Sequence, residues 1–156
     1  PGGFRLPLPA TERRWDTPSG RAQFATFAGL GENAGKLMLT TIRSHDQYNT
    51  TIYSLDDRYR GVFGRRDVVF LNAADLAANG LAQGDLVDVQ ALDGGDTNVL
   101  RGFTAITYDL PRGSAAAYYP EANVLVPLSR HDKDSGTPSY KAVPIRLVRH
   151  QERQAA

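Results

Sequence analysis

Short apolar runs separated by closely spaced turn residues organise most of this chain. Lys36 to Ile42 carries Leu37, Met38, Leu39 and Ile42, the pattern of a buried strand. Asp67 to Leu71 is a second such run, Leu86 to Ala91 a third, and Val99 to Tyr108 alternates apolar with polar positions. Ala115 to Tyr119 predicts another short strand, and Pro120-Glu121-Ala122-Asn123 turns into the apolar run Val124 to Pro127. Ala142 to Val148 closes the series, with Val143, Ile145 and Leu147 on one face and Pro144 suited to an edge or a barrel rim. After the second strand, Asn72 is an N-cap with Asp75 three residues on, and Ala73 to Asn79 predicts a short helix stopped by Gly80. Leu81 to Asp85 reads as a turn, and Asp93-Gly94-Gly95-Asp96 as a hairpin. Six to eight short strands with one or two small helices predict a closed or nearly closed β-barrel, not a doubly wound α/β sheet.

Two stretches depart from this rhythm. Residues 1–35 are rich in Pro, Gly and Thr, which breaks any period and predicts a partly extended connecting arm, with one short strand over Arg21 to Phe27 anchored by Phe24 and Phe27. The barrel is expected over residues 36–150 and a frayed polar tail over 151–156. The second departure, Arg43 to Arg66, is long for a connection and dense in hydrogen-bonding and aromatic side chains, which marks it as functional and ordered.

Composition removes several chemistries. With no cysteine, the chain offers no disulfide, thiolate metal site, iron–sulfur ligation or cysteine nucleophile. Eighteen Lys and Arg against 17 Asp and Glu leave a net charge of +1, so there is no bulk positive field for nucleic acid or an anionic membrane. The longest apolar string in the strand-like regions, Val68 to Leu71, is far short of the ~20 residues of a membrane span. No basic-then-apolar segment opens the chain, which begins Pro1-Gly2-Gly3 and reads as cut from something longer. His45, His131 and His150 have no metal-ligand spacing and read as surface or structural residues. Ser44-His45-Asp46 cannot form a triad, because adjacent side chains do not face one another. The glycines of 29–31 and 61–64 do not join a strand to a helix as a phosphate-binding loop must. Arg58, Arg60, Arg65 and Arg66 resemble a nucleic-acid patch, but Asp56, Asp57 and Asp67 among them favour an internally salt-bridged loop.

Three blocks carry a family resemblance. Leu39 to Tyr53 with Asp57 to Gly61, then Val68 to Asp75 with Gly80, Gly84-Asp85 and Val87, and finally Tyr118 to Pro127 with Thr137 to Lys141, resemble in order the C-terminal domain of formate dehydrogenase-like molybdopterin oxidoreductase alpha subunits, in the DMSO reductase superfamily. Thr17 to Phe24 also fits, with Arg21 where lysine is more usual. The resemblance implies a mainly β fold, a double-psi β-barrel of the aspartate-decarboxylase-like kind, that closes over molybdopterin guanine dinucleotide. It further implies that Mo or W is held by other domains, that an iron–sulfur cluster sits elsewhere in the full chain, and that the whole enzyme carries out a two-electron oxidation such as formate to CO2. Carried onto this chain, the cofactor-binding residues are Thr41, Arg43, Ser44, Gln47, Asn49, Thr50, Asn123, Tyr140 and Lys141, with no catalytic residue and no metal ligand. Their amides, hydroxyls and cations suit the edges of a pterin or guanine and the charge of a pyrophosphate. Asp75 and Asp85 are expected to cap and turn, Glu121 to cap or pair with an arginine, and Tyr118, Tyr119 and Phe103 to fill core. The implied partners are upstream domains of the same chain and electron-transfer subunits, with no nucleic acid or membrane, in the cytoplasm.

A second function class is a stand-alone barrel that binds nucleic acid or a protein partner, for which steep salt dependence would be diagnostic. A third, a self-processing decarboxylase-like barrel, needs a Gly-Ser cleavage site, and Gly113-Ser114 lies in an ordinary turn.

Overall fold

Six strands close into a barrel in the order β1-β5-β2-β4-β3-β6. The computed structural model describes residues 2–26 and 36–151. The strands are β1 (Leu37–Ile42), β2 (Val68–Leu71), β3 (Leu86–Ala91), β4 (Val99–Thr107), β5 (Ser114–Tyr118) and β6 (Val143–Arg149). β1 runs parallel to β5 and β2 parallel to β4, while every other neighbouring pair is antiparallel. Two parallel crossovers interleaved in one closed six-stranded barrel are the double-psi topology expected from the sequence, and closure leaves no open edge.

Alternation sorts the side chains. Leu37, Leu39, Val69, Leu71, Val87, Val89, Phe103, Ala105, Ala115, Ala117, Val143 and Ile145 join one buried cluster, the barrel interior. Val68, Phe70, Ala116 and Tyr118 have the opposite parity and form a second buried cluster with Val62, partly covered by Tyr108 and Leu110. This outer cover explains why β2 is buried at all four positions and reads as a continuous apolar run. Phe70 meets the Tyr108 and Tyr118 rings edge-on, with centroids 5.3 and 5.5 Å apart.

The helix α1 (Ala73–Ala78) starts as predicted. Asn72 Oδ1 accepts from Ala74 N at 2.8 Å, and Asn72 Nδ2 donates to Leu110 O at 2.7 Å, so one side chain caps the helix and ties it to the chain beyond β4. Gly80 follows with φ 65°, the left-handed conformation that ends the helix. Asn72→Ala is expected to lower stability by about 1–2 kcal/mol in urea unfolding, the cap plus a lost buried bond.

Some expectations need correction. Arg21 to Thr26 form no strand and Phe24 is fully exposed; Phe27 lies outside the described residues. The arm instead holds a 3-10 helix over Pro9–Glu12. The apolar run from Val124 belongs to a 3-10 helix over Glu121–Leu125 that buries Ala122 and Leu125. Asp75 does not cap: it is buried and accepts from Gly113 N at 2.6 Å, docking α1 on the turn before β5. Asp85 does serve the turn, accepting from Ala82 N at 2.9 Å. Sequence pattern also missed a bulge between β3 and β4, where Gly102 (φ 65°) donates to Asp88 at 2.9 Å, with His150 Nδ1 2.6 Å from the same carboxylate oxygen. The chain divides into two compact units, residues 1–32 and 33–156. Among the described residues no helix is long and apolar enough to cross a membrane.

Candidate functional site

A cavity of about 510 Å³ opens where β1 ends. Thr41 and Ile42, the last residues of that strand, line it with Arg43; Asn49 and Thr50 come from the following loop, Tyr119 from just beyond β5, and Tyr140 and Lys141 from the approach to β6. Backbone bonds fix this convergence: Thr41 N donates to Tyr140 O at 3.1 Å and Tyr119 N to Ile42 O at 2.7 Å. Lys141 Nζ donates to Thr41 O. The Tyr119 and Tyr140 rings meet edge-on at 5.4 Å.

The electrostatics of the cavity are one-sided. Arg43 and Lys141 both line it, and among the described residues no carboxylate does. Burial, and then the charge of Arg43, hold the Lys141 ammonium below the usual lysine range. Burial and the neighbouring Tyr119 raise the Tyr140 phenol, which keeps it a hydrogen-bond donor. Arg43 Nη2 donates to Asn49 Oδ1 at 2.8 Å, which fixes the direction of the guanidinium and, among the described residues, leaves its other donors for a ligand. Two cations beside hydroxyls and an amide form a receptor for a polyanion with polar ring edges.

The loop that carries Asn49 and Thr50 is held by two buried charges. Arg66 is sandwiched between the Tyr53 and Tyr118 rings, its Cζ 4.5 and 4.8 Å from their centroids. It donates to Glu121 Oε1 at 2.6 Å, Ser44 Oγ at 3.0 Å, Gln47 Oε1 at 2.9 Å and Tyr119 O at 2.9 Å. Asp57 is equally buried and accepts from Arg60 at 2.6 Å and from the Tyr118 hydroxyl at 2.9 Å. Burial alone would raise the Asp57 carboxyl, but its bonds from Arg60 and Tyr118 outweigh that and leave it depressed below 3.8. A depressed carboxyl contributes stability above its unfolded pKa and loses it as pH falls through the folded value. Asp57→Asn is therefore expected to lower the melting temperature at neutral pH and to flatten its fall between about pH 5 and pH 2, read by thermal melts across that range. The slope that remains belongs to other depressed carboxyls, Asp67 and Asp88 among them.

Of the nine residues singled out in the sequence, Thr41, Arg43, Asn49, Thr50, Tyr140 and Lys141 converge on this cavity. Ser44 and Gln47 do not line it, because their polar atoms are engaged with Arg66 and with each other. Asn123 opens on a separate cavity of about 260 Å³ with Leu128, His131 and Pro138, to which Tyr140 also contributes. Ile42 and Tyr119 were not anticipated as lining; Tyr119, expected in the core, is half-buried at the cavity wall. Tyr118 and Phe103 are core, and Glu121 pairs with Arg66. The remaining loop arginines are also internally paired: Arg58 with Asp46 at 3.7 Å, Arg60 with Asp57 at 2.6 Å and Arg65 with Asp67 at 2.7 Å. His45 packs on Tyr59 at 3.6 Å between centroids.

Comparison with known proteins gives the family. Residues 37–144 match the family described as Molydopterin dinucleotide binding domain, a span that includes all nine residues above. The chain belongs to that family. Its members' domain binds a molybdopterin dinucleotide, and this chain carries that domain. Protein YdeP of Escherichia coli (strain K12) is 46% identical over 155 residues, covering 94% of this chain and 20% of that protein. An uncharacterized oxidoreductase of Mycobacterium tuberculosis is 47% identical over 155 residues with the same coverages. The chain thus spans about a fifth of the length of these curated relatives. Acetylene hydratase from Pelobacter acetylenicus shares the fold, with a TM-score of 0.52 at 15% identity over 72% of this chain and 18% of that one.

Proposed function

We propose that this domain closes over the guanine form of molybdopterin dinucleotide in a longer Mo or W oxidoreductase, with formate as its substrate and electron-transfer subunits as its partners. The observation that carries the reading is the cavity at the end of β1, where Arg43 and Lys141 face one space that, among the described residues, no carboxylate lines. The donor set fits the cofactor: the two cations suit the pyrophosphate, and Thr41, Asn49, Thr50 and Tyr140 suit polar ring edges. Bound there, the cofactor would supply the two-electron redox centre, and this chain's residues would bind it, orient it and exclude water from its charged bridge. Family membership supports the dinucleotide; the guanine base and formate rest on the resemblance of the Leu39 to Tyr53 and Tyr118 to Lys141 blocks to formate dehydrogenase-like subunits. The nucleic-acid alternative loses its main footprint, since Arg58, Arg60, Arg65 and Arg66 are all paired with carboxylates of this chain.

The test is made on the full-length polypeptide. Acid hydrolysis of its cofactor should release GMP, and formate should reduce an artificial acceptor in its presence. Release of CMP would overturn the guanine form, and a bound cofactor with no formate-dependent reduction would overturn the substrate.

A further inference from the structure

We infer that Gln47 is a positioning residue: it reads the buried Arg66 on one side and, through Asn49, sets the direction of the Arg43 guanidinium on the other. This rests on the reading of the cavity as the site of an anionic, phosphate-bearing cofactor.

The Gln47 side chain has both ends engaged. Its carbonyl oxygen accepts from Arg66 Nη2 at 2.9 Å and from Ser44 N at 3.0 Å. Its amide nitrogen donates to Tyr119 O at 2.6 Å and to Asn49 O at 2.7 Å. Tyr119 and Asn49 belong to opposite approaches to the cavity, one beyond β5 and one on the loop after β1, so a single amide spans two of its walls. Asn49 sits at φ 50°, a conformation that costs energy in a non-glycine residue and persists where bonds hold it. The bond from Gln47 to its carbonyl is one such restraint. From there Asn49 Oδ1 accepts from Arg43 Nη2 at 2.8 Å. The path from buried core to the cavity cation is therefore continuous, from Glu121 through Arg66, Gln47 and Asn49 to Arg43, and every step is a hydrogen bond of 2.9 Å or less.

The polarity of Gln47 makes the inference separable from a plain structural role. Gln47→Glu keeps an acceptor for Arg66 and Ser44 but turns the donating end into a second acceptor, which then faces the carbonyls of Asn49 and Tyr119. The core contact survives and the cavity contact is repelled. Asn49→Gly cuts the same path one step later while keeping a residue at home at positive φ.

The experiment is a double-mutant cycle on the full-length polypeptide produced without cofactor, with inorganic pyrophosphate as the probe and calorimetry as the readout. Gln47→Glu and Asn49→Gly should each weaken pyrophosphate binding about tenfold, the scale of one charge-assisted bond, with the melting temperature of Asn49→Gly near wild type and that of Gln47→Glu lowered by the repelled Tyr119 and Asn49 carbonyls. In an Arg43→Ala background, neither should weaken it further. Wild-type affinity in both variants, or an undiminished loss in the Arg43→Ala background, would overturn the positioning role. If Gln47→Glu fails to fold, Asn49→Gly carries the same cycle alone. Coupling seen in a full-length protein that takes up no dinucleotide when supplied with it would leave the positioning role standing and sink the cofactor assignment.

Discussion

Arg66→Ala is expected to lower the unfolding free energy by about 3–5 kcal/mol, the cost of breaking a buried, fully bonded charge. The side chain is 4% exposed and lies against two tyrosine rings, so truncation leaves a void and an unpaired Glu121 carboxylate, and takes one donor each from Gln47 and Tyr119. The neighbouring Arg65→Ala is the control. Its ion pair with Asp67 is 40% and 50% exposed, and its loss should cost less than about 1 kcal/mol. Urea unfolding of both variants, with m-values compared to confirm an unchanged transition, reads the difference. Equal, small losses would mean that neither the charge network nor the stacking of Arg66 on the tyrosine rings holds the loop. The same variant should also weaken cofactor retention, because Ser44, Gln47 and Tyr119 lose their common partner.

The second large effect falls on binding and leaves stability nearly untouched. Arg43 and Lys141 are exposed residues whose side chains line the cavity, so Arg43→Ala and Lys141→Ala remove cations without opening the core. Each should weaken binding of the dinucleotide by roughly tenfold or more, and the double variant by about a hundredfold, since a hydrogen bond to a charged group contributes about 1.5–3 kcal/mol. Pterin content of the purified full-length protein after extended dialysis measures it. Lys141→Arg should restore much of what Lys141→Ala loses if charge is what matters. The Lys141 side chain also bonds the Thr41 carbonyl, so a small fall in melting temperature is expected for Lys141→Ala and none for Arg43→Ala.

The barrel was largely legible in the sequence because its signals are local. Apolar runs bounded by turn residues marked all six strands to within one residue at each end, and the Asn72 cap and Gly80 stop framed the helix. Val124 to Pro127 misled because an apolar run of that length carries no period, and only packing against the barrel shows Ala122 and Leu125 turned inward at 3-10 spacing. The lining of the β1 cavity was legible only in part. Residue types that suit phosphate and ring edges could be picked from 41–50 and 140–141, but which of them face a cavity depends on contacts across the chain. Gln47 and Asn49 look alike in sequence, and bonds to Arg66 and Tyr119, 19 and 72 residues away, engage Gln47 off the cavity wall. Arg66 itself read as one of a basic cluster because its carboxylate partner, Glu121, lies 55 residues away in sequence. Asp75 followed the spacing of a capping box, yet its charge is spent on Gly113, a contact that no helix rule foresees.

The most direct measurement of the central claim is hydrogen–deuterium exchange on the full-length polypeptide with and without its molybdopterin dinucleotide. Protection on binding should concentrate in 41–50, at 119 and at 140–141, the walls of the β1 cavity, and should vanish in Arg43→Ala/Lys141→Ala. Protection confined to the opposite end of the barrel, around the 81–85 turn before β3 and residues 110–113 before β5, would contradict the assignment of this cavity to the cofactor.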